Sequence, residues 1–200
     1  MDEEFKRLYS PSAKECVLLE VPSMQFLMVD GKGDPNTSQE YQQAIEALYS
    51  LSYTLKFMLK KSGGPDFKVV PLEGLWWTEG EGFDMANKDA WLWTAMIRQP
   101  DFVTAAMVEE ASAQANAKRE LPALPRTRFE SFDEGMSAQI MHIGPYADEG
   151  PTIERLHAFI REQGFELSGK HHEIYLGDPR RTAPEKLKTV LRQPARPIRG

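Results

Sequence analysis

Two stretches of this 200-residue chain follow one plan. Setting Gly31 on Gly144 aligns residues 16–31 with residues 129–144, placing Met28 on Met141 and Leu27 on Ile140. Each stretch runs into an amphipathic helix. Each helix is followed by a strand with a glutamate among large apolar residues, Leu72-Glu73-Gly74-Leu75-Trp76-Trp77 in the first half and His172-Glu173-Ile174-Tyr175-Leu176 in the second. A unit used twice constrains the fold strongly, because each copy must bury the same faces. The expectation is an α+β fold, a tandem pseudo-twofold repeat of antiparallel sheet plus helix with a central ligand groove at the seam.

Local signals divide the chain accordingly. Extended segments at 17–21 and 24–29 are broken by Pro22-Ser23, and Gly31-Lys32-Gly33-Asp34-Pro35-Asn36 is a turn cluster. Thr37-x-x-Glu40 reads as a capping box. Tyr41, Ala44, Ile45, Leu48, Leu51, Leu55 and Leu59 then recur at helical spacing, and Gly63-Gly64-Pro65 stops the helix. Strands are expected over Phe67–Trp77 and Ala90–Ile97, with a loop at Glu79-Gly80-Glu81-Gly82 between them. A connecting helix is expected at about 101–119 with Asp101 as its N-cap, ended by the proline-flanked stretch at 121–125. The second half predicts strands over Arg128–Phe132 and Met136–Ile143, a helix ending at Gly164, extended structure over Phe165–Gly169 and His171–Leu176, and a closing strand near Lys188–Leu191. The domain reading is one domain over 1–200, with repeat one at about 16–98 and repeat two at about 128–194.

Composition narrows the function classes. A formal charge of −6 argues against nucleic acid, whose backbone demands a dense Lys/Arg footprint. One cysteine, Cys16, rules out an internal disulfide framework and reads as a buried thiol in an apolar run. The N-terminus lacks the apolar core of a signal peptide, and no run approaches membrane-spanning length, so the protein reads as cytoplasmic and not membrane-bound. No nucleotide or dinucleotide fingerprint appears and no cofactor is expected. His171 and His172 point to opposite faces of a regular strand, so no metal site is expected.

Alternation along the strands selects the candidate site. If Ile174 and Leu176 pack under the helices, His171, Glu173 and Tyr175 face the groove. By the same logic Val70, Leu72 and Trp76 take the helix side, leaving Glu73 and Trp77 to the groove. Leu92, Thr94 and Met96 alternate with Trp91, Trp93 and Ala95, and Trp91 and Trp93 are assigned to the groove. Phe26, Met28 and Met141 join them by parity. Four tryptophans within eighteen residues, beside a glutamate, favour a pocket for some of them. A carboxylate in apolar surroundings acts as a base or binds a cation, and aromatic faces attract cations and flat rings. The plainer alternatives are a solvated or salt-bridged Glu173 and a tryptophan stripe that is simply core. Tyr146, at a strand-to-helix junction, either staples the helix or presents its hydroxyl to the groove.

These pieces resemble the GyrI-like small-molecule-binding family, related to the effector-binding domains of multidrug-sensing transcription regulators. The resemblance rests on His142-Ile143-Gly144-Pro145-Tyr146, the helix closing at Gly164, Glu173-Ile174-Tyr175-Leu176-Gly177-Asp178-Pro179, the tail Pro184-Glu185-Lys186-Leu187-Lys188-Thr189, and Pro71-Leu72-Glu73-Gly74-Leu75-Trp76-Trp77, the last resembling the stand-alone branch. It covers roughly residues 5–195. The resemblance implies a tandem SHS2-like fold, a ligand cleft and a cleft-floor glutamate at Glu173. About fifteen residues precede the first strand, too few for a helix-turn-helix unit, so a free-standing member is expected. Some free-standing members are hydrolases of cyclopropane-bearing, DNA-alkylating natural products. For that chemistry Glu73 or Glu173 would activate water and Tyr146 or Tyr175 would polarise a carbonyl. Trp77, Trp91, Trp93, Tyr175, His171, Met28, Met141 and Phe26 would bind a lipophilic aromatic or cationic ligand. The rival expectation is a non-catalytic drug sensor or sequestration module, or a partner of DNA gyrase.

Overall fold

Pro22-Ser23 sits where the chain leaves one compact unit for the other, and this break sets the topology. In the computed structural model, which describes residues 3–80 and 87–198, the elements run in chain order as follows. They are α1 (Glu3–Tyr9), β1 (Val17–Val21), β2 (Met24–Lys32), α2 (Gln39–Lys61), β3 (Glu73–Trp77), β4 (Leu92–Gln99), α3 (Ala105–Lys118), β5 (Arg128–Phe132), β6 (Gly135–Ile143), α4 (Gly150–Glu162), β7 (Phe165–Leu167), β8 (His171–Tyr175) and β9 (Lys188–Pro197). The fold is α+β and every strand pairing described within the units is antiparallel.

The chain forms two units. One is continuous, Met24–Phe132, and the other joins the segment through Ser23 to everything from Asp133 onward. In the continuous unit the strand order is β5-β2-β4-β3. In the discontinuous unit it is β1-β6-β9-β8, with β7 on the far end of β9. The two orders correspond strand for strand, and in each a long helix follows the second strand of the list. β1 belongs with β6 and β5 with β2, so the boundaries expected at 16–98 and 128–194 do not follow the packing. Sequence neighbours across Pro22-Ser23 part company.

Ser38, not Thr37, caps α2, accepting from the Tyr41 amide at 3.2 Å. Ser62 closes it and Gly63 follows at φ 76°, the left-handed conformation that glycine adopts without steric cost. α3 begins later than expected, because Thr104 takes the cap by accepting from Met107, and Asp101 lies in a preceding turn. β3 is shorter than the expected strand, since residues 67–72 join no ladder. Glu81 and Gly82 of the expected loop lie outside the described residues.

The discontinuous unit buries one face of its sheet under α4, with Ala138, Ile140, Leu191 and Ala195 packed against Ile153, Leu156 and Ile160. Cys16 packs at the edge of this core, and burial pushes its thiol pKa up. In the continuous unit α2 covers the sheet through Tyr41, Ala44, Leu48, Leu51 and Leu55. Its position is marked by Gln99 of β4, which donates to Ser52 Oγ at 3.1 Å. Both faces of this sheet are buried, because Leu75 and Met96, on the face away from α2, are 4% and 0% exposed.

Candidate functional site

Strand register decides which candidate residues meet. In the discontinuous unit Glu173 stands opposite Leu191 and Tyr175 opposite Thr189, while His172 and Ile174 stand opposite Arg192 and Val190. Directly opposed residues share a face, and Leu191 packs on α4. Glu173, Tyr175 and His171 therefore share the α4 face. This corrects the expectation that Ile174 packs under the helix and Glu173 points away. A shift of one residue in register exchanges the two faces completely. Met141, opposite Val190, does lie on the face away from α4.

The α4-side cluster is tied together by one hydrogen bond and one close His–carboxylate approach. The Tyr175 hydroxyl donates to Glu173 Oε2 at 2.7 Å, and His171 Nε2 lies 3.3 Å from Glu173 Oε1. Tyr146, in a short 3-10 turn ahead of α4, sets its ring edge-on to Tyr175, centroids 5.5 Å apart, and is 37% exposed. Glu173 thus has both oxygens engaged while remaining partly accessible, with a side-chain exposure of 13%. His157 of α4 belongs to the same neighbourhood. Burial, with the nearby His171 and Arg161, pushes its pKa down to about 4, so it is neutral at pH 7. Nearer the strand end, His142 is held by two contacts, Nε2 to the Pro145 carbonyl at 3.2 Å and Nδ1 to Thr152 Oγ1 at 3.0 Å. The carbonyl only accepts, so the proton sits on Nε2 and Nδ1 accepts from the threonine.

The face away from α4 carries a charged network that the sequence did not announce. Arg192 is fully buried, and its guanidinium reaches Glu134 Oε2 at 3.1 Å, Gln139 Oε1 at 3.0 Å and the Leu8 carbonyl at 2.6 Å. His172 Nδ1 donates to Glu134 Oε1 at 2.8 Å, and Gln139 donates to the Arg7 carbonyl at 2.7 Å. The last carbonyls of α1 are thereby capped by side chains of β6 and β9. Although burial opposes ionisation, His172 and Arg192 hold the Glu134 pKa down at about 2. The one available signal was an arginine inside the apolar run Val190-Leu191-Arg192.

In the continuous unit two tryptophans change sides too. Trp93 is fully buried, its ring edge-on to Tyr41 of α2 at 4.9 Å. It lies directly over Gly31, its register partner. Trp91 meets Trp76 at 5.4 Å, and Trp76 meets Tyr41 at 5.6 Å. Trp91 and Trp93 thus belong to the α2 face, where the sequence reading had put Leu92, Thr94 and Met96. Lys88 Nζ sits 5.5 Å over the Trp91 ring. The face away from α2 keeps Glu73, Trp77, Phe26 and Met28 as expected, with Met96 between Glu73 and Met28 in register. There Thr94 donates to Asp30 at 2.6 Å, and Arg128 binds Asp30 and Glu130. Among the described residues no group of three or more His, Cys, Asp or Glu could hold a metal, and no helix is long and apolar enough to cross a membrane.

A carboxylate hydrogen-bonded to one tyrosine, with a histidine and a second, half-open tyrosine beside it, is the candidate site on this α+β scaffold. The chain belongs to the GyrI-like family, whose small-molecule-binding domain matches residues 14–196. It is similar to an uncharacterized conserved protein from Listeria innocua, 44% identical, with a TM-score of 0.91 over 97% of this chain and 98% of that one. It is also similar to a hydrolase from Listeria innocua, 42% identical, with a TM-score of 0.85 over the same shares. The C-terminal domain of EcmrR shares the fold at 12% identity, with a TM-score of 0.57 over 92% of this chain and 98% of that one. No curated protein matches the chain significantly in sequence.

Proposed function

We propose that this GyrI-like small-molecule-binding domain is a hydrolase of cyclopropane-bearing electrophiles, with Glu173 as the base that activates water. The observation that carries the reading is the Glu173 carboxylate, fixed by Tyr175 at 2.7 Å and His171 at 3.3 Å, with the half-exposed Tyr146 ring packed beside Tyr175. The relationship to a Listeria hydrolase at 42% identity supports the class of reaction. The two tyrosine rings and the carboxylate suit a flat, lipophilic or cationic ligand.

In the reaction Glu173 takes a proton from water as the water oxygen bonds to a cyclopropane carbon. The ring carbon–carbon bond breaks, and its electron pair passes into the conjugated carbonyl. The carbonyl oxygen takes a proton from the Tyr146 hydroxyl, which is restored by the proton held on Glu173. The sum is addition of one water. Tyr175 and His171 hold the carboxylate in line for attack, a positioning role.

The test is multiple turnover of a cyclopropane-bearing DNA-alkylating compound supplied in excess. Glu173→Gln keeps the shape and removes the base, and kcat should fall by about 10²-fold or more with the melting temperature nearly unchanged. Saturable binding without turnover in the native protein would sink the hydrolase reading and leave a binding module.

A further inference from the structure

The long helix α2 carries an aromatic ladder along one face, half-buried at Tyr49 and open at Tyr53 and Phe57. Tyr49, Tyr53 and Phe57 recur every four residues along one face. Their rings stack in succession, with centroids 6.4 Å apart at 26° and 6.2 Å apart at 23°. Tyr53 is 45% exposed and Phe57 is 59% exposed. A run of stacked rings left open to water marks an interaction surface more often than a single exposed aromatic does. The same face carries Glu46 before the ladder and Lys60 after it.

We infer that this face is the interface of a homodimer in which two copies of α2 meet antiparallel about a twofold axis at Tyr53. An isologous contact requires that residues equally distant from the axis complement each other. The ladder meets that condition. Tyr49 and Phe57 each lie four residues from Tyr53, so they face each other across the axis. Glu46 and Lys60 each lie seven residues from it, so each glutamate meets the partner copy's lysine. A parallel arrangement would set Glu46 against Glu46 and Lys60 against Lys60, and flanking charges of this kind set orientation in helix pairs. Glu46 already pairs with Arg119 at 2.8 Å and Lys60 approaches Asp66 at 3.7 Å. Their side chains nevertheless stay 46% and 63% exposed, leaving room for a second partner. The aromatic stripe supplies the apolar centre and the two ion pairs supply the rim, the usual anatomy of a protein–protein contact.

Sedimentation of the full-length chain over a wide concentration range tests this. The native protein should show a reversible monomer–dimer equilibrium. Phe57→Glu should raise the dissociation constant by about 100-fold or more. Glu46→Lys alone and Lys60→Glu alone should each weaken the dimer by about tenfold, since each change places like charges together at two symmetric points. The combined swap Glu46→Lys with Lys60→Glu should restore it. The swaps are at exposed positions, so they decide the matter if Phe57→Glu does not fold. A native chain that remains monomeric at every concentration overturns the proposal. So does a dimer indifferent to these substitutions, or one that the combined swap fails to rescue.

Discussion

Gly31 has no Cβ, and the Trp93 indole occupies the place where one would be. An added methyl group at Gly31 would lie 2.2 Å from Trp93 Cζ2 and Cη2, far inside van der Waals contact. Trp93 cannot retreat, because it is fully buried with Tyr41 against its other side. Gly31→Ala should therefore destabilise the protein by about 1–3 kcal/mol, the ordinary cost of overpacking. A lower urea midpoint with an unchanged slope would register this, together with an altered near-ultraviolet tryptophan signal. Trp93→Leu in the same chain should recover part of the loss, as expected for residues in direct contact. The sequence displayed this glycine as the anchor of the internal alignment and as one member of a turn cluster. That it was making space for a ring sixty residues away is a matter of register, which local pattern does not carry. Glu173 shows the same limit. Its residue type and its companions Tyr175 and His171 were legible, and their common face followed from alternation. Which face it was did not, because Ile174 and Leu191 are both fully buried on opposite sides of the sheet.

Among the elements, the long helices and most strands were legible because caps, breakers and periodicity agreed on them. The exceptions have separate causes. Thr104 outcompetes Asp101 as a cap, and residues 67–72 have extended sequence without a ladder partner. α1 escaped notice because its stability comes from outside itself. Its seven residues are too few for an independent helix, and its C-terminal carbonyls depend on Arg192 and Gln139. Removing Arg192 should leave the buried Leu8 carbonyl and Gln139 Oε1 without their donor and Glu134 with His172 alone. Arg192→Ala should cost about 3–5 kcal/mol and speed amide exchange in α1 ahead of the rest of the unit. Acid acts on the same network through Glu134. Its folded pKa of about 2 lies below the unfolded value, so the stabilisation is complete above about pH 5 and fades as pH falls towards 2. The discontinuous unit should thus lose about 3 kcal/mol over that range. Glu134→Gln should flatten the acid limb of the stability profile, and an unchanged limb would show that other carboxylates govern it.

For the whole molecule, the division into a continuous and a discontinuous unit makes spectroscopy selective. All four tryptophans, Trp76, Trp77, Trp91 and Trp93, fall within Met24–Phe132. Tryptophan emission therefore reports the continuous unit, to which no residue of the Glu134 network belongs. A fragment of residues 24–132 contains its own sheet, both of its helices and the Tyr41–Trp76–Trp93 cluster. It should fold alone and keep the native near-ultraviolet tryptophan spectrum. A fragment with an unfolded far-ultraviolet spectrum would show that the unit leans on the remainder of the chain.

The pairing of β1 with β6 also imposes a timetable on synthesis. Val17 finds its partner Gln139 only after more than a hundred further residues have been made. By then every strand and helix of the continuous unit has left the ribosome. At elongation rates of about 5–20 residues per second, β1 waits many seconds with its hydrogen-bonding edges open. α1 waits longer still, until Arg192 emerges. The segment before Pro22 is thus secured after the unit that follows it, and a nascent chain stalled before β9 would expose α1 to proteases and chaperones while the tryptophan-bearing unit already stood folded.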